Sequence, residues 1–480
     1  MKKLLSLILA VVMVLSLVAC GGAGAAEGGN ETGGNEAASG ALQVGYGKAN
    51  ITPDKPVALG GYGRSDKRIS QGVLSYLWAT CIAITDANDN TILLFGLDIT
   101  AAGEAYMNYA EVVSKATGVP TENIVMSASH THSAPDYGAG EVTGVGEALL
   151  ILKNGLVKAA ETAMADRKPA EMAIASVETE RMNFVRHYLC NDGTYAGSSF
   201  GDASSGYKEH SSDADPILQL VKFTREGDND IILTNFQTHP HQTGGSDQFE
   251  ISADVVGEYR TAMEKDKVEV IYFSGAGGNI NSSSYIKELN ATADWREWGV
   301  KMAEYARSAQ YTPVSGGKVQ VSKAVYEGKI NHEMDAYAGS CSQLRSQWDQ
   351  GKLTTAQVIE EGKALGIELH SAYHAGAIAN RAGMGRTESF DIWTYSFGDI
   401  GFVAAPYEMF DNNGQYIKSN SPFDMTIIAT LSNRSNGYFP SEDIYQYGSY
   451  ECDTTKYVKG TGEELAEKYV SMLNELFKTK

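Results

Sequence analysis

Two histidines, His130 and His132, follow a short apolar run at residues 124–126 and precede the turn residues Pro135 and Asp136. This order predicts a strand that delivers both histidines to its carboxyl end, where α/β enzymes usually keep their sites. Side chains two residues apart share one face of an extended chain, so both imidazoles can point to one place. One could bind a metal ion while the other meets a substrate. The alternative is a pair of polar histidines on a solvated loop.

The segments that must position these histidines indicate an α/β fold. Apolar runs predict strands at residues 42–51, 75–85, 91–98, 171–179, 216–224, 230–238 and 268–274. Helical patterns cover residues 104–117, 144–166, 254–265, 354–382 and 463–477. A closing βαβ unit contains residues 390–405, a helix after Glu408, and residues 425–431. We therefore predict mixed central sheets flanked by helices, in a single large domain that spans residues 42–480.

Composition and charge narrow the class of protein. The chain has 480 residues, of which 43% are hydrophobic and 20% are charged, so it can bury a large core. The formal net charge is −20, and no long basic run interrupts the sequence. Binding to nucleic acid needs a positive face, so we expect no nucleic-acid partner.

The amino terminus has the pattern of an export signal. Lys2 and Lys3 precede an apolar run that ends in Leu-Val-Ala-Cys at residues 17–20, which resembles the cleavage box of bacterial lipoproteins. We expect a signal peptide at residues 1–19, a lipid on Cys20, and a flexible tether at residues 20–41. The alternative is an ordinary signal peptide. No later segment has the roughly 18 apolar residues of a membrane span, so the predicted location is the outer face of a bacterial cell membrane, through a lipid anchor.

Cysteines are another class of residue that can bind zinc. The four remaining cysteines, Cys81, Cys190, Cys341 and Cys452, are scattered, which argues against a thiolate zinc site, and their spacing shows no disulfide pairing.

A second histidine pair, His370 and His374, has the i, i+4 spacing that can bind a metal on a helix. No glutamate follows His370 directly, so the zinc-protease motif is absent and we interpret the pair as structural. Asp98 ends an apolar strand, where it either orients a metal ligand or faces solvent.

Five separated motifs carry a resemblance to a known family. They are VGYGKANITP at residues 44–53, SHTHSAP at 129–135, THP at 238–240 with ISADVVGEY at 251–259, APYE at 405–408, and NRSNGYFP at 433–440 with Tyr450-Glu451. In this order they resemble the signatures of the neutral/alkaline (non-lysosomal) ceramidases, over the catalytic domain only, without the carboxy-terminal β-domain of that family.

The resemblance implies a zinc-dependent hydrolase that cleaves an amide bond of a lipid-like substrate, ceramide or a related N-acyl amide, by attack of zinc-bound water. The family's metal ligands correspond to His130, His239, Glu408 and Tyr438 around one zinc ion per chain. The family's contacts to the scissile group correspond to His132, Arg186 and Tyr450.

The chemistry of these residue types agrees with that role. Two imidazoles, a carboxylate and a phenolate suit zinc, which lowers the pKa of bound water from 15.7 to about 7. Arg186, Tyr450 or His132 would stabilise the oxyanion, a role worth roughly 3–4 kcal/mol per donor in well-studied enzymes. His132 could also protonate the leaving amine.

Departures from the family leave alternatives open. Asn279 replaces the acid of a conserved loop, and Asn281 stands where some members have serine, so a covalent serine mechanism is not supported. One alternative function is a membrane-anchored solute-binding lipoprotein without catalysis. Another is a hydrolase of the same fold that acts on other acyl or ester substrates.

Overall fold

The structure is a computed structural model that describes residues 42–62, 67–101, 103, 105–140, 142–243 and 248–480. The predicted signal peptide at residues 1–19 and the tether at residues 20–41 lie outside the described residues, so both stay predictions.

The described residues form α-helices and β-strands throughout. The helices are α1 (Ala105–Thr117), α2 (Val145–Ala165), α3 (Asp254–Glu264), α4 (Trp295–Ser308), α5 (Ala338–Asp349), α6 (Thr355–Ala364), α7 (Ala372–Arg381), α8 (Asp411–Asn420), α9 (Tyr450–Thr454) and α10 (Thr461–Lys478). The strands are β1 (Leu42–Asn50), β2 (Gly72–Val73), β3 (Trp78–Thr85), β4 (Thr91–Leu97), β5 (Ile124–Ala128), β6 (Lys168–Glu178), β7 (Phe184–Val185), β8 (His187–Cys190), β9 (Tyr195–Gly197), β10 (Tyr207–His210), β11 (Ile217–Arg225), β12 (Ile231–Phe236), β13 (Glu250–Ile251), β14 (Glu269–Ser274), β15 (Ile280–Asn281), β16 (Thr312–Val314), β17 (Val319–Lys329), β18 (Thr387–Phe397), β19 (Ile400–Ala404), β20 (Glu408–Met409), β21 (Met425–Ala429) and β22 (Tyr438–Phe439). Among the described helices, none is long and apolar enough to cross a bilayer.

The larger sheet has the strand order β14-β12-β11-β6-β1-β3-β4-β5, and β16 pairs with β6 beside this path. The outer pairs β12–β14 and β4–β5 are parallel, whereas the inner strands pair antiparallel. Parallel strands need a crossover, and the α1 helix supplies it between β4 and β5. The predicted fold class, mixed sheets flanked by helices, is confirmed.

The smaller sheet, in the order β17-β18-β19-β21, packs on one face of the larger sheet. The position of β4 between two packed layers explains why its sequence is continuously apolar. Its side chains Leu93 and Phe95 pack toward α1 and α2, whereas Ile92 and Leu94 pack toward the smaller sheet. A strand covered on both faces needs apolar residues at every position.

Helices complete a four-layer arrangement. The α1 and α2 helices cover one part of the outer face of the larger sheet, and α3 and α4 cover another. The α10 helix covers the outer face of the smaller sheet. The predicted closing βαβ unit is present, because β19, α8 and β21 follow in order and the two strands pair parallel.

The region predicted as one long helix at residues 354–382 is divided in the structure. The α6 helix ends at Ala364, and Gly366 follows with a φ of +76°, a left-handed conformation that glycine adopts without a steric penalty. A new helix, α7, begins only at Ala372, so His370 lies on the connecting loop. Together with α5, these helices form a small helical insertion (residues 338–381) with its own apolar cluster.

Candidate functional site

His130 and His132 lie on a loop after β5. The backbone N–H of Ser129 donates to the carbonyl of Leu97 at 2.7 Å, and that of His130 donates to Ile99 at 3.0 Å. His130 has a φ of +69°, so the chain leaves the extended conformation there. The Nε2 atoms of His130 and His132 lie 3.3 Å apart. The two rings therefore converge through a left-handed residue, and our explanation by alternation along a strand is wrong.

A third histidine joins them from the far end of the larger sheet. His239 lies on the segment after β12, and its ring centre is 4.5 Å from that of His130. The next residue, Pro240, accepts the backbone N–H of His132 at 2.9 Å, which joins the two histidine segments. The metal-binding atoms of all three histidines lie within 4.8 Å of one another.

A short parallel bridge brings a carboxylate and a phenol to the same place. Glu408 on β20 is the register partner of Tyr438 on β22, so the two side chains lie next to each other. The Oε2 atom of Glu408 is 3.3 Å from Nε2 of His130 and 3.7 Å from Nε2 of His239. Two ligands of a tetrahedral zinc ion lie about 3.3 Å apart, because each is about 2.0–2.1 Å from the metal.

The hydrogen-bond partners of these histidines leave the atoms of the cluster free for a metal. Nδ1 of His130 is 2.8 Å from the carbonyl of Thr100, and Nδ1 of His239 is 3.1 Å from that of Gly277. A carbonyl only accepts, so each ring donates from Nδ1 and carries its lone pair on Nε2. Within the described residues, the buried atoms Nε2 of His239 and Oε2 of Glu408 have no hydrogen-bond partner. Their donor chemistry fits a divalent metal such as zinc. Nε2 of His132 is 3.3 Å from Nε2 of His130, so the distances admit this residue as a ligand as well.

Burial controls the protonation of the cluster. Burial, and next the neighbouring His130, lower the pKa of His132 and of His239 well below the usual value. For His130, burial also opposes the charged form, but the carboxylate of Glu408 outweighs it and raises the pKa. Neutral imidazole is the form that binds metal, so His132 and His239 are kept in the competent state at neutral pH.

Arg186 approaches the cluster from the junction of β7 and β8. Its Nε donates to Oε1 of Glu451 at 2.6 Å, and its guanidinium carbon lies 5.5 Å from the ring centre of Tyr438. The other carboxylate oxygen of Glu451 is 2.9 Å from Nε2 of His187. Burial opposes ionisation of Glu451, but Arg186 and then His187 hold its pKa well below the usual range. The anchoring role of Glu451 was not predicted from the sequence, although the residue stands in the final motif beside Tyr450.

Tyr450 is the first residue of α9, and its ring centre is 5.8 Å from that of Tyr438. Burial, with a smaller contribution from Glu408, raises the pKa of Tyr450 to about 12. Burial and Glu408 also raise the pKa of Tyr438. Tyr450 therefore keeps its O–H as a donor at neutral pH. All seven residues proposed from the family resemblance thus lie in one region, although their individual roles stay predictions.

The segment around Tyr62, for which the sequence suggested no role, packs against His132. Tyr62 stacks edge-on with the imidazole, with ring centres 5.0 Å apart. Arg68 donates to the carbonyl of His132 at 3.2 Å. His241, whose ring centre is 5.8 Å from that of His132, forms part of the same wall. The sequence around Tyr62 gives only a weak indication of a functional role, because Gly-Gly-Tyr turns occur in many structural contexts.

Two open questions from the sequence have structural answers. Asp98 neither orients a ligand nor faces solvent, because it forms a buried ion pair with Arg260 and accepts the N–H of Trp78 at 2.9 Å. Asn279 is a structural anchor: its side-chain oxygen accepts the N–H of Asp411 at 2.9 Å, and its carbonyl accepts that of Arg186 at 2.9 Å.

The chain is similar to known proteins both in sequence and in fold. The family profile described as neutral/alkaline non-lysosomal ceramidase, N-terminal, matches residues 42–285, which is slightly more than half of the chain. A crystal structure of neutral ceramidase from Pseudomonas aeruginosa is similar with a TM-score of 0.67 and 18% identity, covering 92% of this chain and 75% of that one. A structure described as ceramidase complexed with C2 has a TM-score of 0.68 and 17% identity, covering 92% and 76%. No curated protein sequence matches the chain. At these identities the two structures establish the fold alone.

Proposed function

The chain belongs to the neutral/alkaline non-lysosomal ceramidase family, and from that membership we propose that it is a zinc-dependent hydrolase of amide bonds in lipid-like substrates. The proposed substrate class is N-acylsphingosine, or ceramide, and related N-acyl amides. The described ceramidase complex with C2 supports a substrate of this class.

One observation carries the proposal. Side chains from three distant segments of the chain converge, with Nε2 of His130 at 3.3 Å and Nε2 of His239 at 3.7 Å from the same Glu408 oxygen. Buried polar atoms without partners cost roughly 1–3 kcal/mol each, so a protein that keeps them there has a use for them. We infer that His130, His239, Glu408 and Tyr438 hold the metal. Bound there, zinc would supply Lewis acidity, which makes water a competent nucleophile near neutral pH.

The reaction requires groups that handle charge and protons. A water oxygen forms a bond to the amide carbonyl carbon, the C–N bond breaks, and the nitrogen leaves as an amine after it gains a proton. Negative charge develops on the carbonyl oxygen in between, and Arg186 and Tyr450 are the donors proposed to receive it. Glu451 holds the guanidinium in place through its contact with Nε of Arg186 at 2.6 Å. His132, in contact with His130, is proposed to assist proton transfer to the leaving amine.

Paired variants test the assignment. His239→Ala should remove turnover and the zinc ion of this site, because it deletes a ligand. His132→Ala should keep zinc and lose rate by on the order of 100- to 10,000-fold, the usual contribution of acid–base catalysis. The measurements are zinc content by elemental analysis and hydrolysis of ceramides, N-acyl amino acids and simple esters, each with a chelator control.

A histidine outside the site, His332, serves as the matched control. His332 pairs with Asp335 at 2.8 Å and does not belong to the group of His130, His132 and His239, so His332→Ala should keep zinc and rate. Full turnover in His239→Ala would end the proposal. A wild-type protein without stoichiometric zinc would favour the solute-binding alternative, and turnover of esters alone would favour the alternative substrates.

We also propose that the enzyme is exported and anchored through a lipid on Cys20 to the outer face of a bacterial membrane. The Leu-Val-Ala-Cys sequence at residues 17–20 supports this. Mass spectrometry of the mature protein should find a diacylglyceryl group on an amino-terminal Cys20, and Cys20→Ser should carry none. A mature chain that begins at another residue would contradict the anchor.

A further inference from the structure

A second group of metal-binding side chains lies outside the site described above. Nδ1 of His370 is 2.9 Å from Oδ1 of Asp453, and Nδ1 of His374 is 3.7 Å from the same oxygen. The two imidazole rings stack with centres 5.0 Å apart. The metal-binding atoms of the three residues all lie within 4.8 Å of one another. The distances to Asp453 bracket the roughly 3.3 Å that separates two ligands of a tetrahedral zinc ion.

The hydrogen bonds around this cluster aim its atoms at a common point. Ser371 donates from Oγ to Oδ2 of Asp453 at 3.0 Å and accepts the backbone N–H of His374 at 3.1 Å. Oδ1 of Asp453 therefore remains for the two imidazoles. A carboxylate held by a neighbouring hydroxyl is a usual support for a metal ligand.

An ion pair alone does not account for all three side chains. A hydrogen bond explains the 2.9 Å contact of His370, but 3.7 Å is too long for one. Among the described residues, Nδ1 of His374 is buried and has no hydrogen-bond partner. A cation between the two imidazoles and the carboxylate would satisfy every one of these atoms.

We propose that His370, His374 and Asp453 form a second divalent-metal site that takes zinc. Two imidazole nitrogens and one carboxylate oxygen are zinc ligands. The side chain of His370 is 45% exposed, which leaves an open side for a water ligand and for entry of the ion.

The position of this second site gives it a structural purpose. His370 and His374 belong to the edge of the helical insertion, whereas Asp453 lies on α9. The same short helix carries Tyr450, whose ring packs edge-on against Tyr373 of the insertion with centres 5.3 Å apart. Zinc at this place fastens the insertion to the helix that presents Tyr450 to the catalytic cluster.

Zinc stoichiometry tests the proposal directly. Chelator-treated wild-type protein, dialysed against zinc chloride and analysed for zinc, should bind two ions per chain. His239→Ala and the double variant H370Q/H374Q should each bind one, and the combined triple variant should bind none. His332→Gln changes a histidine that pairs with Asp335 and is not part of the second group, so this variant should still bind two.

A melting experiment provides a readout other than activity. In the His239→Ala background, zinc at about 100-fold over its Kd should raise the Tm by about 3 °C, and H370Q/H374Q should remove this shift. Asp453→Asn provides a second variant that keeps the side-chain shape. The second site would be refuted if the wild-type chain binds only one zinc ion. It would also be refuted if H370Q/H374Q and Asp453→Asn leave the zinc stoichiometry unchanged. Either result leaves the catalytic assignment intact, because that assignment depends on the zinc lost in His239→Ala.

Discussion

At the scale of single residues, His132 is positioned by groups that contribute no chemistry of their own. Arg68 donates to its carbonyl at 3.2 Å, and Pro240 accepts its backbone N–H at 2.9 Å. Gly61 lies directly against the imidazole, since a Cβ built there would be 2.4 Å from Cγ of His132. The ring therefore has a fixed place only because residue 61 has no side chain.

Gly61→Ala should displace His132 and lower turnover by on the order of 100-fold, the usual effect of a misplacement of about 1 Å. Zinc content should stay unchanged, because the three atoms nearest to the added Cβ all belong to His132. Steady-state kinetics and elemental analysis measure both quantities.

Gly118→Ala is the matched control for this variant. Gly118 also has a positive φ, +77°, but no atom lies within 4 Å of its Cβ position. Both variants introduce backbone strain of about 1–2 kcal/mol, but only the methyl group added in Gly61→Ala contacts the imidazole. Wild-type turnover in Gly61→Ala would show that His132 does not need this position.

A buried carboxyl near the site makes stability depend on pH. Burial, and to a smaller degree the charge of Asp215, raise the pKa of Asp411 to about 6, whereas a hydrogen bond from Gln415 opposes the shift. The folded state therefore binds a proton more tightly than the unfolded state. The stabilisation from this group is complete below about pH 4 and is lost as the pH rises through about 6.

Asp411→Asn should remove this dependence, since an amide does not ionise and can still accept the N–H of Asp215. The free energy of unfolding of the variant, relative to wild type, should rise by up to about 3 kcal/mol between pH 4 and pH 7. Urea unfolding at several pH values measures it. A difference that stays constant with pH would contradict the raised pKa.

At the scale of elements, the contact between β1 and α2 depends on two glycines. A Cβ at Gly47 would lie 2.0 Å from the carbonyl oxygen of Ala159, and one at Gly45 would lie 2.1 Å from that of Ala163. The helix backbone thus rests directly on the strand. Because backbone atoms cannot move aside as a flexible side chain can, these positions tolerate no side chain.

Gly47→Ala should destabilise the protein by at least about 3 kcal/mol, the upper end of the usual cost of overpacking. Gly146→Ala is its counterpart on the helix, where no atom lies within 4 Å of the Cβ position. That variant should gain up to about 1 kcal/mol, because alanine favours a helix over glycine. Urea midpoints compare the two, and equal stability in Gly47→Ala and wild type would refute the close contact.

At the scale of the whole molecule, the four layers bring distant chain segments to one place. The described residues from Leu42 to Lys480 form a single compact unit. The β1 strand lies inside the larger sheet, paired with β3 on one side and with β6 on the other. The candidate site combines the loop after β5, the segment after β12, and the β20–β22 bridge, so its assembly requires both sheets.

A chain that begins at Gly40 should therefore melt at the same temperature and bind the same amount of zinc as the longer chain. A chain that begins at Thr52 lacks β1, which leaves the edges of β3 and β6 unpaired, and should show no cooperative melting. Calorimetry of both chains tests this, and a cooperative transition in the shorter one would contradict the central role of β1.

Much of the fold followed from local patterns. The apolar run at β4 predicted a buried strand, and the structure buries all seven of its residues. The family resemblance, which depended on five short motifs, is confirmed. The prediction of one continuous helix at residues 354–382 was wrong, because a helical pattern of apolar residues does not reveal the break at Gly366.

The sequence by itself determined which chemistry was available: imidazoles, a carboxylate and phenols in motifs of the right order. Only the tertiary structure decided the partners, such as Arg260 for Asp98, Glu451 for Arg186 and Asp453 for the second histidine pair. The physical reason is that residue type and spacing act over a few residues, whereas these contacts join segments separated by up to 265 residues along the chain. Such contacts form only when whole sheets and helices have packed.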